Sequence, residues 1–332
     1  MSTKFPKIHI RSKREFARHI SHKGFTAEQA LALINDVQQN WNSYWKDNEF
    51  HSEPTKGKYV RSAKGRPLGK LLEYVNKSIL GVHDTLLPGF VFGGISETDH
   101  VKAAAHLLGG RRKRTLLAMD IKSFFEQIHH DRVFHFFYKK CECDKSTSDL
   151  LADLCCVPVG PKNAPGSELV VARGFATSSR LAIWTNIDLF DRMTRLVKKR
   201  LKGHDPRIAI YVDDIGITAS RVTRKQLEDL RDEIMQLFLE FDTNQSLEIH
   251  PISKTRKNRI VEHQEGIEHL GLRLYRNRLG LGAKTMSKKA KHKNKSASLT
   301  TKEEKEHHKM VTKSHERYRS YVQRPVKGKV IK

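Results

Sequence analysis

Apolar positions along this chain fall into blocks whose period changes from helical to strand-like. In "TAEQALALINDVQQNWNSYW", Ala30, Leu33, Ile34, Val37, Trp41 and Trp45 recur at helical spacing behind Thr26 and Gln29, which are spaced as a capping box. A helix is expected there, with its aromatic residues on the buried stripe. The polar stretch "KDNEFHSEPTKGKYVRSAKGRPLGK" reads as loops or a short hairpin presenting Lys58, Arg61, Lys64 and Arg66. "LLEYVNKSIL" is expected to be helical and to stop at Gly81. Turns follow at Pro88 and Gly93-Gly94, then a short helix ending near Gly109.

From residue 115 the pattern shortens. "TLLAMDI" is too brief for a helix and predicts a buried strand ending on Asp120. "ATSSRLAIWTNIDLFDRMTRLVKKR" suits a helix of about five or six turns. "RIAIYVDDIGITAS" predicts two strands joined at a tight turn holding Asp213 and Asp214. "KQLEDLRDEIMQLFLEF" places Leu227, Leu230, Ile234, Phe238 and Phe241 on one helix face, and a strand is expected near "SLEIH". Strand, helix, paired strands, helix and strand in this order predict an α+β unit, an antiparallel sheet backed by helices.

Composition adds charge to this picture. Across 332 residues, 62 Lys and Arg against 37 Asp and Glu leave a net charge of +25. That surplus points to a polyanionic partner, nucleic acid before an anionic membrane surface. Sixteen Lys or Arg against four Glu and no Asp lie between Ala283 and Lys332. This tail reads either as a segment that folds on binding or as a helical subdomain gripping a duplex backbone. No apolar run reaches membrane-spanning length, and "MSTKFPKIHIRSKREF" lacks the apolar core of a signal peptide, so a soluble, cytoplasmic protein without a membrane partner is expected. The C-x-C and C-C spacing of Cys141, Cys143, Cys155 and Cys156 is not that of a structural zinc site, and reduced, buried or surface thiols are the preferred reading.

Two adjacent carboxylates at a turn are common on any hairpin. Bringing a third, Asp120, to the same sheet edge is costly unless cations are present, because like charges raise one another's pKa and divalent ions reverse that cost. Oxygen-only ligands favour Mg2+, and two such ions about 3.5 to 4 Å apart suit in-line phosphoryl transfer.

The ordered series "LAMDIKSFFEQI", "RGFATSSRLAIWTNIDLF", "YVDD", "PISKTRKNR" and "HLGLRL" resembles the motifs of reverse transcriptases. The resemblance implies a right-hand polymerase: N-terminal helices and fingers over 1–114, palm over 115–124 and 175–279, a fingers insertion over 125–174, and a basic thumb or RNA-binding region over 280–332. It implies a metal set of Asp120, Asp213 and Asp214 with the backbone carbonyl of Ile121, holding two Mg2+ with Mn2+ as a substitute. Phe125 falls where the family places a ring under the sugar, which excludes a ribose 2′-hydroxyl and selects dNTPs. In "RGFATSS", Arg173 replaces the usual Gln, and Ala176 and Ser179 replace prolines. Gly174 permits close backbone approach, and Thr177 and Ser178 keep the hydroxyls that begin the helix. Arg173 is then a phosphate contact, a base contact or the partner of a nearby acid. Lys254 stands as a proton donor to pyrophosphate, a triphosphate contact or a surface lysine. Leu270, Gly271 and Leu272 match the primer grip or form an ordinary strand, and Lys64 and Arg66 loosely match triphosphate contacts of the fingers.

The compact length is similar to that of bacterial retron and defence-associated enzymes. Of the retron Asn-Ala-x-x-His signature, "KAAAH" keeps Ala103 and His106, and "RLGLGAKTM" stands where Val-Thr-Gly is usual. The resemblance implies an RNA-directed DNA polymerase copying a structured noncoding RNA into an RNA–DNA hybrid in anti-phage defence, with an effector or toxin protein as a further partner. The alternatives are a defence enzyme with protein-primed or untemplated synthesis, an RNA polymerase, and a catalytically silent RNA-binding module.

Overall fold

The computed structural model describes residues 4–109, 112–242, 246–294 and 301–324. The chain is a mixed α+β protein with several small antiparallel sheets. The largest has four strands in the order Arg207–Tyr211, Asp214–Ala219, Thr115–Asp120, Asn258–Val261, every neighbouring pair antiparallel.

Both faces of this sheet are covered, which is why "TLLAM" is apolar without alternation. On one face Leu117, Met119, Ile208, Ile210, Ile215 and Ile217 join a cluster with Phe190 and Met193 of helix Ile187–Arg200 and Leu230, Ile234 and Phe238 of helix Arg224–Glu240. Each such fully buried side chain contributes roughly 1.5–3 kcal/mol. On the other face Leu116, Ala118 and Ala209 pack with Val101, Ala104 and Leu107 of helix His100–Leu107 and with Leu272, Leu274 and Leu279. The last three belong to a three-stranded sheet, Glu268–His269, Leu272–Leu274 and Leu279–Leu281. Alternation along the strands puts Asp120 on the face of Ala118 and Leu116, and Asp214 on the face of Gly216.

Several local expectations are corrected. The stretch expected to form one helix of five or six turns is two, Ser178–Thr185 and Ile187–Arg200, broken at Asn186. The Asn186 amide donates to the Ala182 carbonyl at 2.9 Å and its oxygen accepts from Arg132, so the side chain competes with the backbone ladder. Helix Pro67–Tyr74 does not end at Gly81 but runs on through a wider turn, Val75–Leu80, and a tighter one, Gly81–Leu86. Near "SLEIH" only an isolated bridge forms, Ile121 with Ile249, and the fourth strand is Asn258–Val261. Arg61, expected to be presented from a loop or short hairpin, is instead buried: it pairs with Asp47 and donates to the carbonyls of Pro158 and Gly160.

The basic tail is helical where described, over Ala283–Asn294 and Lys302–Gln323; its remaining parts, 295–300 and 325–332, lie outside the described residues. The second helix docks on the start of helix His100–Leu107. Tyr321 donates to Asp99 at 2.5 Å, the Tyr318 hydroxyl lies 2.7 Å from His100 Nε2, and Val322 is buried. No helix among the described residues is long and apolar enough to cross a membrane.

Candidate active site

Register brings the carboxylates together. Asp120 and Asp214 are direct partners across adjacent antiparallel strands, so their side chains share one face. Asp214 is also the partner of Tyr211, which leaves Val212 and Asp213 as a two-residue turn. Val212 has φ of 58°, a conformation that β-branched residues avoid and that marks strain held in place by its surroundings. The Asp213 carbonyl accepts from the Ile121 amide at 2.9 Å, tying the turn to the residue after Asp120.

The cost of this arrangement shows in the acids. Burial, followed by the field of Asp120, raises the Asp213 carboxyl above its ordinary value. Burial, then Asp213 and Asp120, push Asp214 up to about 7. Asp120 is answered by one cation and one imidazole: Lys257 donates to Oδ2 at 2.6 Å, and His250 Nε2 lies 3.2 Å from Oδ1. Burial opposes the charge on Lys257, but the hydrogen bond to Asp120 and the fields of the three aspartates outweigh it and raise its pKa. Burial lowers the pKa of His250, against the pull of Asp120.

Ile121 is buried, and the ladder bonds on either side of it run from Lys122 to Glu248 and from His250 to Asp120. It is therefore in a non-hydrogen-bonded pair with Ile249, and its carbonyl is free of that ladder. Phe125 is buried on the tight turn Phe124–Gln127. Arg173 lies 4.9 Å over the Phe125 ring and forms a two-pronged ion pair with Glu126 at 2.9 and 2.8 Å. Of its three readings, the structure gives the partner of a nearby acid, with Phe125 held beneath the guanidinium.

The other candidates are dispersed. Gly174, at φ of 101°, lies against the chain's own backbone: a Cβ there would sit 2.6 Å from the Arg61 carbonyl oxygen. Thr177 is fully buried and donates to Cys155 Sγ at 3.5 Å, and Ser178 donates to the Ala172 carbonyl. These hydroxyls, at the N-cap and first residue of helix Ser178–Thr185, therefore stitch its start to its neighbours and do not cap it, and it has no side-chain cap. Lys64 and Arg66 are exposed between the short strand Arg61–Ser62 and helix Pro67–Tyr74. Lys254 is exposed in a turn, its carbonyl accepting from the amides of Lys257 and Asn258.

Leu270 and Gly271 form the two-residue turn of a hairpin, with φ of 52° and 72°, and Leu272 is fully buried at the start of its second strand. The hairpin is rooted beside the carboxylates. A Cβ on Gly216, two residues beyond Asp214 on the same face, would lie 2.7 Å from His269 Nε2. His269 occupies the space a side chain at Gly216 would fill.

Lys257, His250 and His269 were not among the sequence candidates. A signal for Lys257 existed. Met119 pairs with Asn258, so the next antiparallel step sets Lys257 beside Asp120. It is legible only once the fourth strand is placed at residues 258–261 and not at "SLEIH".

Three carboxylates and a backbone carbonyl form an all-oxygen donor set, which fits Mg2+ or Mn2+. Asp120, Asp213, Asp214 and Ile121 would hold it. Their oxygens are not drawn to ligand spacing, and Asp120 is turned to Lys257. The group among the described residues whose ligand atoms do lie within 4.8 Å of one another is His130, Asp149 and Asp153, on helices His130–His135 and Lys145–Cys155. All four cysteines are buried free thiols, and burial pushes Cys143 up to about 11, which disfavours the thiolate that zinc requires. Comparison of the sequence with protein-family models and with curated proteins returns no match.

Proposed function

We propose that the chain is an RNA-directed DNA polymerase, a reverse transcriptase of the retron or defence-associated kind, adding dNTPs to a primer on an RNA template. The observation that carries this reading is the pairing of Asp120 with Asp214 at one sheet edge, with Asp213 on the adjoining turn. Like charges are gathered there at a cost that cations would reverse. Two bound Mg2+ ions would activate the attacking hydroxyl and stabilise the leaving oxygen.

Residues around the carboxylates supply the remaining parts. Phe125, packed under Arg173, would bar a 2′-hydroxyl and so favour dNTPs. Lys257 is better placed than Lys254 to give a proton to pyrophosphate, because its ammonium is already at Asp120. The Leu270–Gly271 turn, rooted on Gly216 through His269, would press on the primer end. In this reading the four-stranded sheet is the palm, the elements before residue 115 and over 125–174 are the fingers, and the helices after residue 280 are the thumb. The net charge of +25 supports a structured noncoding RNA as template and an RNA–DNA hybrid as product. An effector or toxin protein would be a further partner, and the cytoplasm the compartment.

The test is primer extension by purified protein on a primed RNA with Mg2+ and either dNTPs or rNTPs. Extension with dNTPs that Asp213→Ala abolishes, while RNA binding persists, is the expected result. Preference for rNTPs would make it an RNA polymerase. Extension unaffected by Asp213→Ala would remove the site assignment, and binding without any extension would leave an RNA-binding module.

A further inference from the structure

Beyond the carboxylate edge, the outer face of the three-stranded sheet carries an unassigned pocket. Along Leu272–Leu274 and onward the side chains alternate: Leu272 and Leu274 are buried, while Arg273 and Tyr275 face outward. Arg273 is the register partner of both Glu268 and Gly280, so a glycine sits in the middle of this outward face. The Tyr275 ring uses that gap. A Cβ on Gly280 would lie 2.8 Å from Tyr275 Cε2, so any side chain there would displace the ring. The hairpin closes with the Tyr275 amide donating to the Arg278 carbonyl at 3.0 Å.

Two guanidinium groups then flank one aromatic ring, Arg273 at 5.6 Å and Arg278 at 5.1 Å from its centroid. Tyr275 is nevertheless 40% exposed. Helix Lys302–Gln323 adds Arg319 as a wall and helix Ala283–Asn294 adds Met286, enclosing a cavity of about 780 Å3. None of Arg273, Arg278 and Arg319 has an ion pair among the described residues, although Glu265 and Glu268 line the same cavity. Each glutamate accepts one backbone amide, Glu265 from Glu262 and Glu268 from Ala283, and neither pairs with an arginine of the pocket.

Three arginines against two glutamates leave this pocket net positive around an accessible aromatic face, which suits a ligand that is anionic at one end and flat at the other. We propose that this pocket binds one unstacked nucleotide of a single strand, its base on Tyr275 and its phosphate among Arg273, Arg278 and Arg319. Aromatic stacking with arginine contacts is how unpaired bases are held, and a duplex offers neither a free base face nor a strand that can enter the cavity. The inference rests on the polymerase reading only for its choice of nucleic acid as partner. The pocket would then grip an unpaired part of the template RNA or of the displaced product.

Fluorescence anisotropy of the full chain decides it, with short labelled unstructured RNA, DNA of the same sequence and an RNA duplex as probes. Tyr275→Ala is expected to weaken single-strand binding about tenfold, within the range of one base stack, and duplex binding little. Tyr275→Phe should retain the parent affinity. Arg319→Ala, on a different element from the hairpin, should weaken single-strand binding several-fold with an unchanged melting temperature. A loss confined to RNA assigns the pocket to template, and an equal loss on DNA assigns it to strand chemistry common to both. Unchanged single-strand affinity in both Tyr275→Ala and Arg319→Ala, or equal losses on duplex and single strand, would overturn the proposal. Primer extension by the parent chain is measured alongside. Failure of the parent to extend would sink the polymerase reading while leaving the binding comparison intact.

Discussion

Lys257 donates to Asp120 Oδ2 at 2.6 Å, whereas the ammonium of Lys254, one turn earlier in the same segment, has no partner among the described residues. The register that places Met119 opposite Asn258 sets this contact, and Lys254 lies outside the ladder. If Lys257 delivers the proton to the departing pyrophosphate, Lys257→Met lowers the rate of extension by about 10²-fold, the lower end for a positioned general acid. Lys254→Met should leave extension within about twofold. Single-turnover rates of the two variants across pH check this, because loss of a titrating donor also flattens the alkaline limb of the profile. Equal losses in both variants would reject Lys257 as the donor.

Asp214 is raised to about 7 by burial and by its two aspartate neighbours. A carboxyl raised on folding binds more protons in the folded state between its unfolded value of 3.8 and 7, so metal-free stability falls as pH rises through that window. Asp214→Asn removes this penalty. In EDTA at pH 8 the variant should be more stable by on the order of 2 kcal/mol, a few °C in melting temperature, with a flatter slope from pH 4 to 7. Thermal melts of the metal-free proteins measure it, and a destabilised variant would contradict the electrostatic account.

The sequence made the carboxylate edge legible because local rules acted alone there. A short apolar run ending on Asp120 became strand Thr115–Asp120, and the pair in "YVDD" fell at a two-residue turn. Thr26 with Gln29, and Leu227 through Phe238, likewise set their helices by capping and period. Where a distant side chain intervened, the local reading failed. Asn186 breaks a periodic helix by bonding Ala182 and receiving Arg132 from another element. Arg61 read as a presented loop cation but is drawn inward by Asp47. Arg173 kept three readings open in the sequence, and its pairing with Glu126 comes from a residue 47 positions away. His269 gives no sequence signal, since its significance depends on the missing side chain of Gly216 on another sheet.

Phe125 is confined by Arg173 above its ring and by Phe124, whose centroid is 5.9 Å away. Arg173 is in turn fixed by both oxygens of Glu126, which braces the ring on that side. Phe125→Val should therefore raise the incorporation of rNTPs relative to dNTPs at least about tenfold, the scale on which a reshaped pocket alters discrimination. Glu126→Gln, which loosens Arg173 and leaves Phe125 in place, should relax discrimination less. Ratios of kcat/KM for dNTP and rNTP in the two variants measure both effects. Unaltered discrimination in Phe125→Val would show that the ring is core packing alone.

His269 joins the Leu270–Gly271 turn to the sheet, and its Nε2 is buried without a hydrogen-bond partner among the described residues. Burial, followed by the field of Arg259, lowers its pKa to about 4. A base whose pKa falls on folding stays neutral in the folded chain while the unfolded chain takes up a proton. Its stabilising contribution is therefore complete above the unfolded value of 6.5 and is lost as pH falls from there towards 4. Between pH 7 and pH 5 this group alone should cost on the order of 2 kcal/mol. His269→Leu, which fills the space above Gly216 with no titrating atom, should flatten that part of the profile. Urea melts of parent and variant at pH 7 and pH 5 test the link. An unchanged pH dependence in His269→Leu would place the acid sensitivity elsewhere in the molecule. A flattened one would assign that acid sensitivity to the packing of His269 over Gly216, between the Leu270–Gly271 turn and the Asp214 strand.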